Sequence, residues 1–333
     1  MTRDCLRKER GKIGNSGAQW DSSCSEGVKT MKIFITGGTG FIGSQLTREF
    51  SNRGHQVTVL DRTIKARETF PPTVSFIETD STVRGAWQEN AAEHEIFINL
   101  AGFSIFNRWN DKNKRAIRES RILTTKNLVE AASWNTKQRI RLFSTSAVGY
   151  YGFHGDEDLT EDASPGSDFL AGVARDWEAA ANQAKEFGGQ VVVCRFGIIM
   201  GRSGGALQQM LPIYKHYLGS PLGNGRQWVS WIHEQDLVNI FIFLFDQKNV
   251  EGPVNCTAPQ AVRNAELTKA IGEALGVPTF LPAVPAFLMK LAMGEFGDLL
   301  LKGQKVVPQK LNALGYRFRF PTIKDALADL VKK

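Results

Sequence analysis

From Met31 onward, short apolar runs alternate with longer stretches in which apolar residues recur every three or four positions. Strands are predicted at Lys32–Thr36, Gln56–Leu60, Val74–Glu78, Glu95–Asn99, Arg141–Ser144 and Gln190–Arg195. Helices are predicted at Phe41–Arg53, Asn113–Ser133 and Ala174–Phe187. Strands alternating with helices at this spacing predict an α/β fold on a doubly wound parallel sheet. After Gly201 the segments lengthen, Gly, Pro and Trp become more frequent, and the chain turns mainly helical from about Asn264. The expected division is therefore a nucleotide-binding domain over 31–200, with a later strand near 252–258, and a smaller substrate lobe over 201–333. Such a lobe would cover the carboxyl ends of the strands, where ligands bind in this architecture.

Residues 1–30 break the pattern. They mix charged residues with Gly and Ser, show no periodicity, and are expected to form a disordered extension. They lack the apolar core of a secretory signal, and Asp4, Glu9, Asp21 and Glu26 count against a transit peptide. Elsewhere the composition, 42% hydrophobic and 23% charged, is that of an ordinary globular chain. The net charge of +7 comes from scattered basic residues with no interleaved aromatics, so no nucleic-acid partner is expected. No apolar run is long enough to span a bilayer, and no membrane partner is expected. Cys5, Cys24, Cys194 and Cys256 show neither paired nor metal-ligand spacing, which fits a reducing, cytoplasmic setting and no metal site. A homodimer is compatible with the chain.

The chemistry starts at the end of the first strand. Gly37-Gly38-Thr39-Gly40-Phe41-Ile42-Gly43 runs from that strand into a helix. The first Gly of such a loop permits the tight turn, the second lets backbone N–H groups approach a pyrophosphate, and the third lets helix and strand pack closely. Asp61 closes the second strand, where an acidic residue accepts hydrogen bonds from an adenosine ribose. The expectation is a Rossmann domain binding NAD or NADP. Asp61 favours NAD by repelling a 2′-phosphate, whereas Arg62, with Lys65 and Arg67 nearby, favours NADP. Asp80 is a candidate for the adenine or else a loop cap. The small residues of Leu100-Ala101-Gly102 would let backbone pass beside the cofactor.

With these residues stand Asn99-Leu100-Ala101-Gly102, Arg108-Trp109, Ser120-Arg121-Ile122, Ser144-Thr145-Ser146-Ala147-Val148-Gly149-Tyr150-Tyr151-Gly152 and Asp176-Trp177-Glu178-Ala179-Ala180. Gly204-Gly205-Ala206-Leu207, Gln227-Trp228-Val229-Ser230-Trp231-Ile232-His233 and Gly303-Gln304-Lys305-Val306-Val307-Pro308 follow. In this order the motifs resemble the extended short-chain dehydrogenase/reductases, which include nucleotide-sugar epimerases. The match is closest to their atypical SDR39U1-like or YfcH-like epimerase branch, which has a C-terminal domain of its own. The resemblance implies a Rossmann fold and NAD(P), often NADP, although members usually carry Ser or Thr where this chain has Asp61.

It also implies what is missing. Short-chain dehydrogenases use a Tyr as acid/base, with a Lys four residues on to lower its pKa and a Ser to orient the substrate oxygen. None of the tyrosines here has such a Lys. By alignment of the flanking segments, Leu170 takes the Tyr position and Ala174 the Lys position. Ser146 aligns with the orienting Ser, and Tyr150 and Tyr151 are candidate substitute phenols. Arg121 lies where the superfamily often has an active-site Asn, placed for the cofactor or an anionic substrate. Ile199, with Ile198, lies in the segment that passes near the nicotinamide. Trp228, Trp231, Gly223 and Gly225 line the pocket or else pack the lobes, and His233 reads as a satisfied structural residue.

Two functions follow. One is an epimerase or oxidoreductase acting on a small polar substrate, such as a nucleotide sugar, without the usual Tyr/Lys pair. The other is a catalytically silent NAD(P)-binding redox sensor or scaffold, for instance in cell division.

Overall fold

A central parallel strand must be apolar on both faces, and β1 (Lys32–Thr36) is: Ile33, Phe34 and Ile35 are all inaccessible to solvent. The computed structural model describes residues 29–332, so the expectation of a disordered 1–30 segment, and Cys5 and Cys24 with it, falls outside the described residues except at Lys29 and Thr30. After β1 come α1 (Phe41–Asn52), β2 (Gln56–Asp61), β3 (Ser75–Glu78), α2 (Trp87–Ala91), β4 (Ile96–Asn99) and α3 (Asp111–Ser133). Then follow β5 (Arg141–Ala147), β6 (Asp158–Leu159), α4 (Phe169–Asn182), β7 (Gln190–Phe196), β8 (Ile198–Met200) and α5 (Gly205–Lys215). Next are β9 (Trp228–Val229), β10 (Trp231–His233), α6 (Glu234–Asp246), β11 (Gly252–Cys256), β12 (Val262–Arg263) and α7 (Asn264–Leu275). The chain ends with α8 (Ala286–Met293), α9 (Glu295–Leu300), β13 (Lys305–Val306), α10 (Gln309–Ala313) and α11 (Ile323–Val331).

Seven strands form one parallel sheet in the order β11-β7-β5-β4-β1-β2-β3. The expected doubly wound α/β class is thus what the chain adopts. Alternate residues of each strand feed two cores. Ile33, Ile35, Val57 and Val59 pack on Leu46 and Phe50 of α1 and on Leu237, Phe241 and Leu244 of α6. Phe34, Leu60, Phe97 and Leu142 pack on Trp87 of α2, Leu128 and Ala132 of α3, and Ala181 of α4. A third cluster joins Leu207, Trp231, Leu267, Ile271 and Leu327, so Trp231 is a core residue. Strand order reverses between β1 and β4, and the crevice outside their carboxyl ends is where this architecture receives ligands.

Two helix starts differ from the sequence expectation, and both are set by caps. α3 begins at Asp111 because the Asn110 side chain accepts from the Asn113 N–H at 2.8 Å. α4 begins at Phe169, five residues before the expected Ala174, because Asp168 accepts from the N–H groups of Leu170 and Ala171 at 2.9 and 3.1 Å. The last residues of the expected helix, Gln183–Phe187, form a 3₁₀ turn that ends at Gly188 in the left-handed region. Arg141–Ser144 lengthens to Ala147, which carries Ser146 on the strand itself.

Candidate functional site

The glycine loop lies at the sheet's switch point. Gly37 has φ +72°, and a Cβ there would stand 2.9 Å from the Ala101 nitrogen and 3.0 Å from the Leu100 carbonyl carbon. Only glycine lets the loop turn while lying against the end of β4. A Cβ on Gly43 would fall 2.1 Å from the Gly37 oxygen, so α1 can start there only without a side chain. Gly40 is the N-cap of α1, and no side chain caps the helix. The N–H groups of the first turn, together with the helix dipole, therefore offer an uncompensated anion site. Gly38, Thr39, Phe41 and Ile42 complete the loop. Phe41 lies against loop 201–204, where a Cβ on Gly201 or Gly204 would collide with its ring.

Asp61 turns towards this loop. Its Oδ2 accepts from the Thr39 N–H at 3.2 Å and from Thr39 Oγ1 at 2.5 Å, while Oδ1 accepts from the Arg62 N–H at 3.0 Å. The Arg62 and Lys65 side chains are exposed beside it. Arg67, also near, is folded over the Phe76 ring. Asp80 caps its own loop, with Oδ1 accepting from the N–H and hydroxyl of Thr82 at 2.9 and 2.7 Å. Beneath the loop, a chain of buried hydrogen bonds fixes the strand ends. Thr36 donates to Asn99 at 2.7 Å, Asn99 donates to Thr125 at 2.7 Å, and Trp177 donates to Thr125 at 2.8 Å.

Arg121 lies directly beside Gly102, where a Cβ would come 3.2 Å from its guanidinium carbon. Its Nη1 donates to the carbonyls of Phe103 and Ile117 at 3.0 and 2.9 Å, and the guanidinium is 5.3 Å from the centre of the Trp177 ring. Among the described residues it has no carboxylate partner, and burial pulls its pKa down to about 10. A cation lacking a counter-charge at this point suits an anionic group.

Ser146 and Tyr151 belong to a buried network that the sequence did not reveal. Ser146 Oγ donates to Glu178 Oε1 at 2.6 Å. Arg195 donates to both Glu178 oxygens at 2.8 Å and to the Tyr151 hydroxyl at 2.8 Å. Burial opposes the Arg195 charge, but its bonds and attraction to Glu178 outweigh that and raise its pKa. The Tyr151 hydroxyl in turn donates to Asn255 at 2.6 Å, its side chain is inaccessible, and burial pushes its pKa up to about 12. The expectation of Tyr151 as a free phenol is not what the fold provides: its hydroxyl is enclosed and already bonded to both Arg195 and Asn255. Ser146 changes character as well. Its proton is held by a carboxylate that can only accept, so the buried hydroxyl has only acceptor capacity left.

Tyr150 differs from its neighbour. It is half-buried, and the guanidinium of Arg195 lies 3.6 Å over its ring. Leu170 packs on Gly149, whose Cβ would stand 3.5 Å from the Leu170 Cβ, so the position that lacks a phenol adjoins Tyr150 in the fold. Ala174 is buried. Ile199 sits in β8, paired with Ile232 of β10. Trp228 is held by a bond to Asp156 at 2.9 Å and by Arg263 stacked 3.8 Å over its ring. Gly223 and Gly225 both have positive φ in the turn before it. No cluster of three or more metal-ligating side chains occurs among the described residues. No described helix is long and apolar enough to cross a membrane. The missed residues, Glu178 and Arg195, had one legible signal: an Arg inside the apolar strand Val191-Val192-Val193-Cys194-Arg195 requires a buried counter-charge.

The fold and crevice define a nucleotide-binding α/β protein of the short-chain dehydrogenase type. Residues 33–256 match the NAD dependent epimerase/dehydratase family, and residues 284–330 match a domain of unknown function, DUF1731. The chain belongs to this epimerase family. It is 37% identical over 303 residues to the epimerase family protein YfhF of Bacillus subtilis, covering 90% of this chain and 98% of YfhF. It is 35% identical to the chloroplastic SDR39U1 homolog of Arabidopsis thaliana, over 92% of this chain and 89% of that protein. The crystal structure of human epimerase family protein SDR39U1 (isoform 2) with NADPH superposes with a TM-score of 0.78 at 32% identity, covering 90% of this chain and 99% of the human one.

Proposed function

We propose that the chain binds NADP(H), and less tightly NAD(H), and acts as an oxidoreductase or epimerase on a small polar substrate. The observation that carries the reading is the uncapped start of α1 behind a loop whose Gly37 and Gly43 leave no room for a side chain. The first-turn N–H groups would hold the pyrophosphate, Leu100–Gly102 would pass beside the dinucleotide, and Asp80 would keep one oxygen free for the adenine. Asp61 retains lone pairs for a ribose hydroxyl, and Arg62 supplies the cation that a 2′-phosphate needs. Ile199 would flank the nicotinamide. The human relative carrying NADPH supports this choice of cofactor. A nicotinamide bound there would supply hydride transfer.

The protein's part is proton transfer and orientation. Tyr150, half-exposed and covered by Arg195, is the group we assign to exchange a proton with the substrate. Ser146 would accept a hydrogen bond from a substrate or ribose hydroxyl. Arg121 would receive an anionic group of cofactor or substrate. A nicotinamide-fluorescence titration with NADPH, followed by turnover assays on nucleotide sugars and carbonyl compounds, tests the reading. Turnover that disappears in Tyr150→Phe while NADPH binding persists is the expected result. Tight binding with no turnover would instead support a redox sensor or scaffold, a reading favoured by the enclosure of Ser146 and Tyr151 in the Glu178–Arg195 network.

A further inference from the structure

A cleft of about 630 Å³ runs along α1 on the side facing α6, away from the β4 end of the crevice. It begins at Thr39–Phe41, and its far wall comes from the C-terminal segment: Arg319, Phe320 and Asp329 all lie within the stretch that matches the domain of unknown function. We propose that this cleft is a second ligand site, for a phosphorylated small molecule, adjoining the dinucleotide site at Thr39–Phe41 and closed on its far side by the C-terminal domain.

Positive charge in the cleft exceeds negative charge. Three guanidinium groups, Arg48, Arg202 and Arg319, line it with two carboxylates, Glu234 and Asp329. Both carboxylates are engaged. Glu234 accepts from Gln45 at 3.0 Å and from the Arg202 N–H at 2.9 Å, and Asp329 is paired with the Arg202 guanidinium at 3.4 Å. Arg48 donates to Thr69 and to the Ser44 carbonyl and lies over the Phe70 ring, with no carboxylate partner among the described residues. The exposed Arg319 guanidinium lies 5.3 Å over the Phe320 ring and has no hydrogen-bond or carboxylate partner among them.

The second observation is His233, 2% exposed and lining the same cleft. Its Nδ1 accepts from the Gln235 N–H at 3.0 Å, so the neutral ring carries its proton on Nε2. That Nε2 is buried and makes no hydrogen bond of normal geometry, with Asp329 Oδ2 3.4 Å away. Phe320, stacked on the ring at 3.8 Å, fixes its direction. A buried N–H and a free guanidinium, with Arg48 adding charge from a third element, match an oxyanion with several acceptor oxygens. A phosphoryl group offers oxygens in three directions, where a carboxylate offers two in one plane.

The test is calorimetric titration of the full chain with inorganic pyrophosphate, with and without saturating NADPH. Wild type should bind pyrophosphate saturably in the presence of NADPH. Arg319→Gln should weaken that binding by about tenfold or more, and Arg319→Lys should restore part of it. The substitution leaves the fold intact, because the Arg319 and Phe320 backbone N–H groups, bonded to Asp236 at 2.8 and 2.9 Å, hold this segment. Binding that NADPH abolishes, or that Arg319→Gln leaves unchanged, assigns the anion to the glycine loop and overturns the proposal. So does an absence of binding at millimolar pyrophosphate. The NADPH titration of each variant reports separately on the dinucleotide site, so failure of one reading is distinguishable from failure of the other.

Discussion

Replacing Glu178 by Gln removes one charge from a pair that is almost wholly buried, Arg195 being 3% and Glu178 8% exposed. The shape is nearly unchanged, so the cost is electrostatic. Arg195 keeps its bonds to Tyr151 and to the Glu161 carbonyl, at 2.8 and 3.1 Å, but faces an amide where it had two carboxylate oxygens at 2.8 Å. Breaking a buried pair by removing one partner costs about 3–5 kcal/mol, because the other charge is left uncompensated. Little screening discount applies at this depth. With a urea slope of about 3 kcal/mol/M for a chain of this size, the unfolding midpoint should fall by about 1–2 M. Tryptophan fluorescence follows the transition. The double variant Glu178→Leu with Arg195→Met removes both charges and should recover most of the loss. A single variant that loses less than about 1 kcal/mol, or a double variant worse than the single, would refute the claim that the pair is held by mutual compensation.

Three further outcomes are expected. Arg62→Ala should weaken NADPH binding by about tenfold to a hundredfold and leave NADH nearly unchanged in fluorescence titrations; equal weakening of both would remove Arg62 from the 2′-phosphate. Gly43→Ala forces a Cβ to 2.1 Å from the Gly37 oxygen, so it should cost about 1–3 kcal/mol in urea unfolding and abolish NADPH binding; wild-type affinity would contradict the loop geometry. Burial lowers the pKa of His55, His94 and His233 below the ordinary 6.5, so the native state keeps them neutral while the unfolded chain takes up protons. Their contribution is complete above the unfolded value and shrinks as pH falls through it, so the urea midpoint should drop from pH 7.5 to 5.5; a flat profile would count against it.

The strands were legible because a two-sided buried strand announces itself as a continuous apolar run, as in Ile33-Phe34-Ile35. Helix starts were less so. Asp168 and Asn110 are ordinary polar residues until the backbone in front of them turns helical, and the apolar period alone placed both starts too late. The glycine loop was readable because its chemistry is local in sequence. The bonds of Asp61 to Thr39, and of Glu178 to Ser146 and Arg195, join separate elements, and nothing in their local surroundings in the sequence fixes such partners. His233 divided the two levels: its Nδ1 is satisfied as a structural residue's should be, but its Nε2 is not.

The edge strand β11 has a consequence for synthesis. It pairs with β7 over five residues, Gly252 with Val192 through Cys256 with Phe196, yet the ribosome delivers it only after β8, α5, β9, β10 and α6. Until then β7, among the most apolar strands, presents an open flank of N–H and C=O groups to any passing strand. Chains truncated at about residue 200 and released from the ribosome should therefore depend on holding chaperones and collect in the pellet, whereas released chains that extend past Cys256 should not. The most exposed moment in this protein's life falls during translation, while a sheet that is nearly complete waits for its last strand.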